Sequence, residues 1–317
     1  MQNKKAREKV IIICGPTASG KTSLGIALAN AIDGEIISAD SMQIYKEMSI
    51  GSSKPTDEER KQAVHHLVDF VDVDRRYSVA EYKMDCEQKI EDILSRNKVP
   101  IIVGGTGLYI DSILYNIRYL QINTDLQFRQ SLEQMPLEEL YERAMKIDPE
   151  AMEKISSNDR KRISRILEIY HATGQTKTEL EAESRGENIY DFRTFVLNWP
   201  RDVLYERINK RVDLMIEMGL VDEVKGILNK YNSFPTSMQA LGYKEIKQYL
   251  DGEISLDDAI EMIKLETRHY AKRQLTWFRK YEDAIWLDGG KDEENVSIIL
   301  ENYKLERKDE ERKGKED

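Results

Sequence analysis

One stretch limits what this chain can fold into more than any other. Val10 to Cys14 is a short run of apolar, mostly β-branched residues, the signature of a strand buried on both faces. The octet that follows reads Gly15, Pro16, Thr17, Ala18, Ser19, Gly20, Lys21, Thr22, which is G-x-x-x-x-G-K-T. From Ser23 to Ile32, Leu24, Ala27, Leu28 and Ala31 recur at helical spacing. A strand, a glycine loop and a helix in that order make a phosphate site. The two glycines open backbone conformations closed to other residues. The loop amides and the helix N-terminus then face an anion, Lys21 adds a point charge, and the Thr22 hydroxyl can ligate Mg²⁺. The loop says that a diphosphate or polyphosphate binds, and not which one.

Other strand ends fall at the same edge, where ligands of open α/β sheets sit. The strand 35–38 runs into Asp40, Ser41, Met42 and Gln43. Asp40 has two readings: a helix cap or outer metal partner, or a carboxylate facing the reacting centre. The strand 99–103 ends in Gly104, Gly105 and Thr106. A tight strand-to-helix turn would explain these glycines, yet the turn also brings Thr106 beside Asp40 and Lys21. Residues 46–60 read as a polar loop. Adjacent His65 and His66 point in different directions, which argues against a two-histidine metal site. Ser78 and Glu81 form a capping box for a helix over 79–96.

From about residue 121 the β pattern stops and returns near 192. Between them the spacing predicts short helices at 125–134, from Pro136, at 149–155 and at 158–173, a helical insertion over 121–191. Its last helix carries Lys161, Arg162 and Arg165 opposite an apolar side of Ile163, Ile166 and Leu167, with Arg129 on an earlier helix as a candidate neighbour. A basic helix face is either simply solvated or an RNA contact. After a strand over 191–199, a helix to about Gly219 bears Arg201, Arg207, Lys210 and Arg211, as in a kinase lid. Another begins at Met238, and one from Ser255 to about Tyr281 sets Tyr270, Trp277 and Tyr281 on one side and Arg268, Lys272 and Arg279 on another. The aromatic side reads as core and the cationic side as phosphate contacts. A strand at 284–287 and a helix at 296–303 close the core, and the charged residues 304–317 read as disordered.

The 317 residues allow one large domain or two smaller ones. No apolar run approaches the ~20 residues of a membrane span, and the polar N-terminus gives no signal peptide. Two cysteines supply no metal cluster or disulfide framework, so a soluble, cytoplasmic protein is expected. A net charge of −10 argues against nucleic acid, but the local basic clusters argue the other way.

Taken together, the motifs resemble the tRNA dimethylallyltransferase (tRNA isopentenyltransferase) family over roughly residues 10–290. The resemblance rests on the phosphate loop, Ser38-Ala-Asp-Ser-Met-Gln-Ile-Tyr45, His65-His-Leu-Val-Asp69, Val103-Gly-Gly-Thr-Gly-Leu-Tyr109, Asn158-Asp-Arg-Lys-Arg-Ile-Ser-Arg165, Gln239-Ala-Leu-Gly-Tyr-Lys-Glu245, and the segment from Arg268 to Arg279. Gln239 stands where some members carry arginine. The resemblance implies a P-loop NTPase-like, nucleotide-kinase-like α/β core (1–120 and 192–303) with the helical insertion against tRNA. It implies transfer of a dimethylallyl group from dimethylallyl diphosphate to N6 of an adenine beside the tRNA anticodon, in a monomer using Mg²⁺ on Thr22. Catalysis would fall to Lys21, Asp40 and Thr106. The tRNA contacts would be Asp40, Ser41, Met42, Gln43, Thr106, Arg129, Lys161, Arg162, Arg165, Arg268, Lys272 and Arg279. Rival readings are a P-loop small-molecule kinase, a prenyltransferase acting on free adenine nucleotides, and a nucleotide-gated switch, the last lacking an Asn-Lys-x-Asp guanine motif.

Overall fold

A computed structural model describes residues 7–119 and 125–304. Among these, six strands form one sheet in which every pairing is parallel: β1 (Lys9–Cys14), β2 (Gly34–Ala39), β3 (His65–His66), β4 (Val99–Gly104), β5 (Asp191–Asn198) and β6 (Ile285–Asp288), in the order β3-β2-β4-β1-β5-β6. β1, β2 and β4 are buried from their second residue to their last; β1 and β4 read as nearly continuous apolar runs, while β2 buries Glu35 and Ser38 among its apolar residues. Ile11, Ile13, Ile36, Ile101, Val103, Phe195 and Leu197 share a core with Leu24 and Leu28 of helix α1 (Lys21–Ile32) and Ile299 of a C-terminal helix, Asp292–Lys304. Alternate strand residues face the other side, where α3 (Val79–Ser95) approaches β2 and β4.

Register places the functional edge. Cys14 and Ala39 both pair with Gly104, so β1, β4 and β2 end level, and the chain leaves each strand at one rim. Gly104 is there because of crowding: a Cβ on it would stand 2.1 Å from the Ala39 carbonyl oxygen. Gly15 has φ 154°, and a Cβ on it would stand 2.4 Å from the Leu197 carbonyl oxygen. Crowding accounts for Gly104, and crowding together with backbone conformation accounts for Gly15.

Several elements differ from the sequence expectation. The expected 46–60 loop gives way at its end to helix α2 (Asp57–Gln62), started by a capping box of Thr56 and Glu59. His65 and His66 form β3. The Nδ1 of His65 meets the Ala63 carbonyl and the Nε2 of His66 meets Glu35. Helix α4 (Gly107–Leu114) follows β4 directly, in keeping with a strand-to-helix turn at Gly104 and Gly105.

The chain divides into two compact units, one of residues up to Leu114 and from Ile189 onward, the other Tyr115–Asn188. Sequence had set these divisions at 120/121 and 191/192; the first lies outside the described residues, as do residues 305–317 of the expected tail. The second unit holds α5 (Leu126–Gln134), α6 (Leu137–Ile147), α7 (Pro149–Glu153), α8 (Arg160–Thr173) and α9 (Lys177–Ser184) around a core that includes Leu132, Leu140, Ile163 and Ile166. α9 was not expected, although Thr176 and Glu179 cap it by the same box as α2. In the first unit, α10 (Arg201–Glu217) is followed by an unexpected α11 (Leu220–Lys230). The helix expected from Met238 starts at Tyr243 as α12 (Tyr243–Leu250), after a 3₁₀ turn at Ser237–Gln239. α13 (Leu256–Phe278) and α14, the C-terminal helix above, complete it. No helix of the described residues is long and apolar enough to cross a membrane.

Glu35, buried on β2, receives Arg96 at 2.5 and 2.8 Å, His66 at 2.8 Å and Lys98 at 3.3 Å. The Arg96 guanidinium, aided by His66 and Lys98, holds this carboxyl at about 2 despite its burial. A depressed acid contributes stability above its unfolded value and loses it as pH falls through the folded one. Glu35→Gln is therefore expected to melt below wild type at neutral pH, with the gap closing between about pH 4.5 and 2. Parallel melting curves over that range check it.

Candidate active site

The loop after β1 and the turns after β2 and β4 border one cavity of about 560 Å³. Thr17, Ala18, Ser19, Gly20, Lys21 and Thr22 line it together with Asp40, Gln43, Gly104 and Gly105; α10 supplies Arg207, Lys210 and Arg211, and α13 supplies Tyr270 and Gln274. Gly15 and Pro16 lie outside the lining and shape the loop from behind.

Long-range donors fix the phosphate loop. The Ala18 carbonyl accepts from Arg207 Nε at 2.9 Å and the Ser19 carbonyl from Trp199 Nε1 at 2.8 Å. Arg207 also stacks over the Trp199 ring at 4.4 Å. The amide of Thr17 donates to Gln274 Oε1 at 2.9 Å, and Gln274 Nε2 donates to the Gly105 carbonyl at 2.9 Å, so one buried side chain ties the first loop to the third. That amide is thus used inside the protein. Lys21 Nζ donates to the Pro16 carbonyl at 2.6 Å. Burial pushes Lys21 down to about 8; the nearby Arg211 charge adds to this and Asp40 opposes it. Arg211 is lowered by burial too, with Asp40 opposing.

Asp40 caps a turn rather than a helix. Its Oδ1 accepts from the amides of Met42 at 2.8 Å and Gln43 at 3.3 Å, which caps the turn, and the same side chain lines the cavity. Its charge registers at Lys21, Arg211 and Tyr270, the last a phenol raised by burial and by Asp40. Thr106 is not in the lining. Its hydroxyl accepts from the Ser41 amide at 3.0 Å and donates to the Ser41 hydroxyl at 3.3 Å, bracing the Asp40 turn from behind. The Gln43 amide is taken up internally: its oxygen accepts from Ser38 Oγ at 3.1 Å and its nitrogen donates to the Ser53 carbonyl at 3.0 Å. The same side chain also lines the cavity.

The basic residues divide in the same way. In the second unit, Arg129 grips Glu168 at 2.7 and 2.9 Å and Arg165 meets Glu168 at 3.1 Å, whereas Lys161 is exposed and Arg162, two-thirds exposed, lies 3.3 Å from Asp159. On α13, Arg268 donates to Asn209 at 2.7 Å, while Lys272 and, past the helix end, Arg279 are exposed. Of the aromatic side, Tyr281 is buried but Trp277 is 37% exposed, so it is not all core. Sequence reasoning undervalued Arg207, Arg211, Tyr270 and Gln274; the four-residue spacing of each pair, which puts both members on one helix face, was the available signal.

Among the described residues no three His, Cys, Asp or Glu side chains cluster as metal ligands. The Thr22 hydroxyl and the Asp40 carboxylate both line the cavity, a pair that suits a divalent ion taking its remaining ligands from phosphate and water.

Comparison with known proteins agrees with this geometry. The family profile described as IPP transferase matches residues 43–281. A tRNA dimethylallyltransferase of Acetivibrio thermocellus is 46% identical over 304 residues, covering 94% of this chain and 96% of its own, and one of Carboxydothermus hydrogenoformans is 49% identical over 290 residues, covering 90% and 93%. The crystal structure of a tRNA isopentenylpyrophosphate transferase from Bacillus halodurans superposes with TM-score 0.71 at 38% identity, covering 94% of this chain and 97% of that one. A eukaryotic dimethylallyltransferase captured acting on tRNA superposes with TM-score 0.80 at 32% identity, covering 93% and 79%. A phosphate loop is common to many activities, but identity at this level over nine-tenths of the length is not, and the chain belongs to the tRNA dimethylallyltransferase family.

Proposed function

We infer that the protein transfers the dimethylallyl group of dimethylallyl diphosphate to the exocyclic N6 of an adenine beside the tRNA anticodon and releases diphosphate. The observation that carries this reading is that the phosphate loop and the Asp40 carboxylate border one cavity. A leaving diphosphate and an incoming amine need those two groups on opposite sides of one carbon.

The donor's diphosphate lies along residues 17–22. As the allylic C–O bond breaks, negative charge grows on the leaving oxygens, and Lys21 and Arg211 stabilise it. Thr22 would hold Mg²⁺ together with diphosphate oxygens, and the ion would supply further charge neutralisation there. The N6 lone pair is delocalised into the adenine ring, so the nitrogen attacks weakly and must shed a proton as the N–C bond forms. Asp40 takes that proton on Oδ2, since Oδ1 is committed to the Met42 and Gln43 amides. Thr106 acts on Asp40 through Ser41. The adenine must leave its stack to enter the cavity, a cost that is least in a single-stranded loop.

The 115–188 unit and the α13 cations are assigned to the RNA backbone. Arg162→Glu with Arg165→Glu is expected to weaken tRNA binding and to flatten the slope of log affinity against log salt by about 1–2. An unchanged slope returns α8 to a solvated surface. The decisive experiment on function is incubation of the protein with dimethylallyl diphosphate and unmodified tRNA, followed by mass analysis of the nucleosides. An adenosine heavier by one dimethylallyl group is expected, and its absence overturns the reading.

A further inference from the structure

The Gly-Tyr-Lys-Glu segment around Tyr243 is prominent in the sequence but does not line the cavity. Tyr243 is fully buried, and its hydroxyl donates to Glu223 Oε1 at 2.6 Å. Glu223 lies in the first turn of α11. Its carboxylate also accepts from three consecutive backbone amides: Ser49 at 2.9 Å, Ile50 at 2.8 and 3.1 Å, and Gly51 at 3.2 Å. Gly51 is pressed against the tyrosine, where a Cβ would stand 2.4 Å from the ring. The loop is thus pinned by four donors on one carboxylate and by a ring packed beneath it.

What this latch holds is a wall of the active site. Ser49, Ile50, Ser52, Ser53 and Lys54 all line the cavity. Ser53 has φ 50°, a left-handed conformation that a side chain disfavours and that persists where the surroundings over-determine it. From that position its hydroxyl accepts from Arg211 Nε at 2.8 Å and its carbonyl accepts from Gln43 Nε2 at 3.0 Å. Arg211 is the cation whose charge reaches Lys21. The backbone N–H of Gln43 in turn donates to Asp40 Oδ1 at 3.3 Å. One short loop therefore steadies a group at the diphosphate end and a group beside the base.

On the transferase reading above, we propose that Glu223 is a positioning residue for the transfer, acting through loop 49–53 to set Arg211 and the Asp40 turn. A carboxylate suits this task because it accepts at both oxygens and donates at neither. Glutamine has the same shape but would set an NH₂ group against an N–H, so Glu223→Gln loosens the loop without opening a void.

The test is initial-rate kinetics of dimethylallyl transfer to tRNA, with thermal melting, for wild type, Glu223→Gln, Tyr243→Phe, Ser53→Ala and the double variant Glu223→Gln/Ser53→Ala. Well below its melting midpoint, Glu223→Gln is expected to lose on the order of 10–100-fold in kcat/KM for the donor, with KM raised and kcat lowered together. Ser53→Ala should lose less. The double variant should be no worse than Glu223→Gln, because both changes act through one loop. Wild-type constants in a Glu223→Gln protein whose only defect is a lower midpoint overturn the proposal, as do losses that multiply in the double variant. Should Glu223→Gln fail to fold, Tyr243→Phe and Ser53→Ala decide: both must raise donor KM, and an unchanged KM in both overturns it. A wild type that transfers nothing sinks the transferase reading instead. The latch is then judged by affinity for inorganic diphosphate, which Glu223→Gln and Ser53→Ala must weaken.

Discussion

Asp40→Asn should bind the donor near neutral pH about as well as wild type and transfer the prenyl group about 10²–10⁴-fold more slowly. Asparagine separates the two functions that the structure combines in Asp40. Its Oδ1 can still accept from the Met42 and Gln43 amides, so the turn keeps its cap. What it lacks is an oxygen able to take a proton from N6. Alanine would remove cap and base together, and a loss of activity there would not separate them. Binding of dimethylallyl diphosphate by calorimetry, set beside single-turnover transfer measured by nucleoside mass, resolves the pair. Near-normal turnover by Asp40→Asn would take Asp40 out of the proton step. A matching loss of donor affinity would make its role structural. The Asp40 charge favours protonated Lys21, so the comparison belongs well below pH 8, where Lys21 stays charged in either protein.

The parts of this site that were legible in the sequence are the local ones. A β-branched run, a glycine loop and a helix follow one another without a gap between Val10 and Ile32, and strand ends at Asp40 and Gly104 fall at the ligand edge by the general rule for open sheets. The order β2-β4-β1, which sets those three ends side by side, comes from pairing over distance and has no local signature. The other walls are remoter still. Arg207 meets the loop across 189 residues and Gln274 across 257. α11 was missed because Gly219, at φ 96°, reads as a helix stop, although Leu220, Val224 and Ile227 repeat at helical spacing beyond it. Nor does a side chain's identity show whether it is already engaged. Arg129 reads as available, yet Glu168, 39 residues on, holds it; Gln43 reads as a tRNA contact, yet its side chain also bonds Ser38 and Ser53.

Lys21→Ala is expected to cost about 10²–10³-fold in kcat, the scale at which one aimed donor to a developing charge counts. Lys21→Arg should give a sharper result, because the wild-type residue carries a pH signature that arginine cannot. Burial sets Lys21 at about 8 in the free protein. A bound diphosphate favours the ammonium, so binding above that point must be accompanied by proton uptake. Donor affinity should then fall as pH rises beyond about 8, by at most tenfold per unit, while the prenyl diphosphate itself stays fully ionised. Stability of the free protein should move the other way. Between about 8 and 10.5 the unfolded chain holds the Lys21 proton and the folded one does not, so this group's contribution rises with pH across that window. Guanidinium remains charged throughout, and Lys21→Arg should lose both slopes even where the longer side chain lowers affinity overall. Calorimetric titration of wild type and Lys21→Arg with the donor at several pH values reads the first slope, and melting of the free proteins reads the second. A wild-type affinity flat through pH 9 would mean that the lysine keeps its proton in the empty site, and that Asp40 outweighs burial and Arg211 in setting its charge.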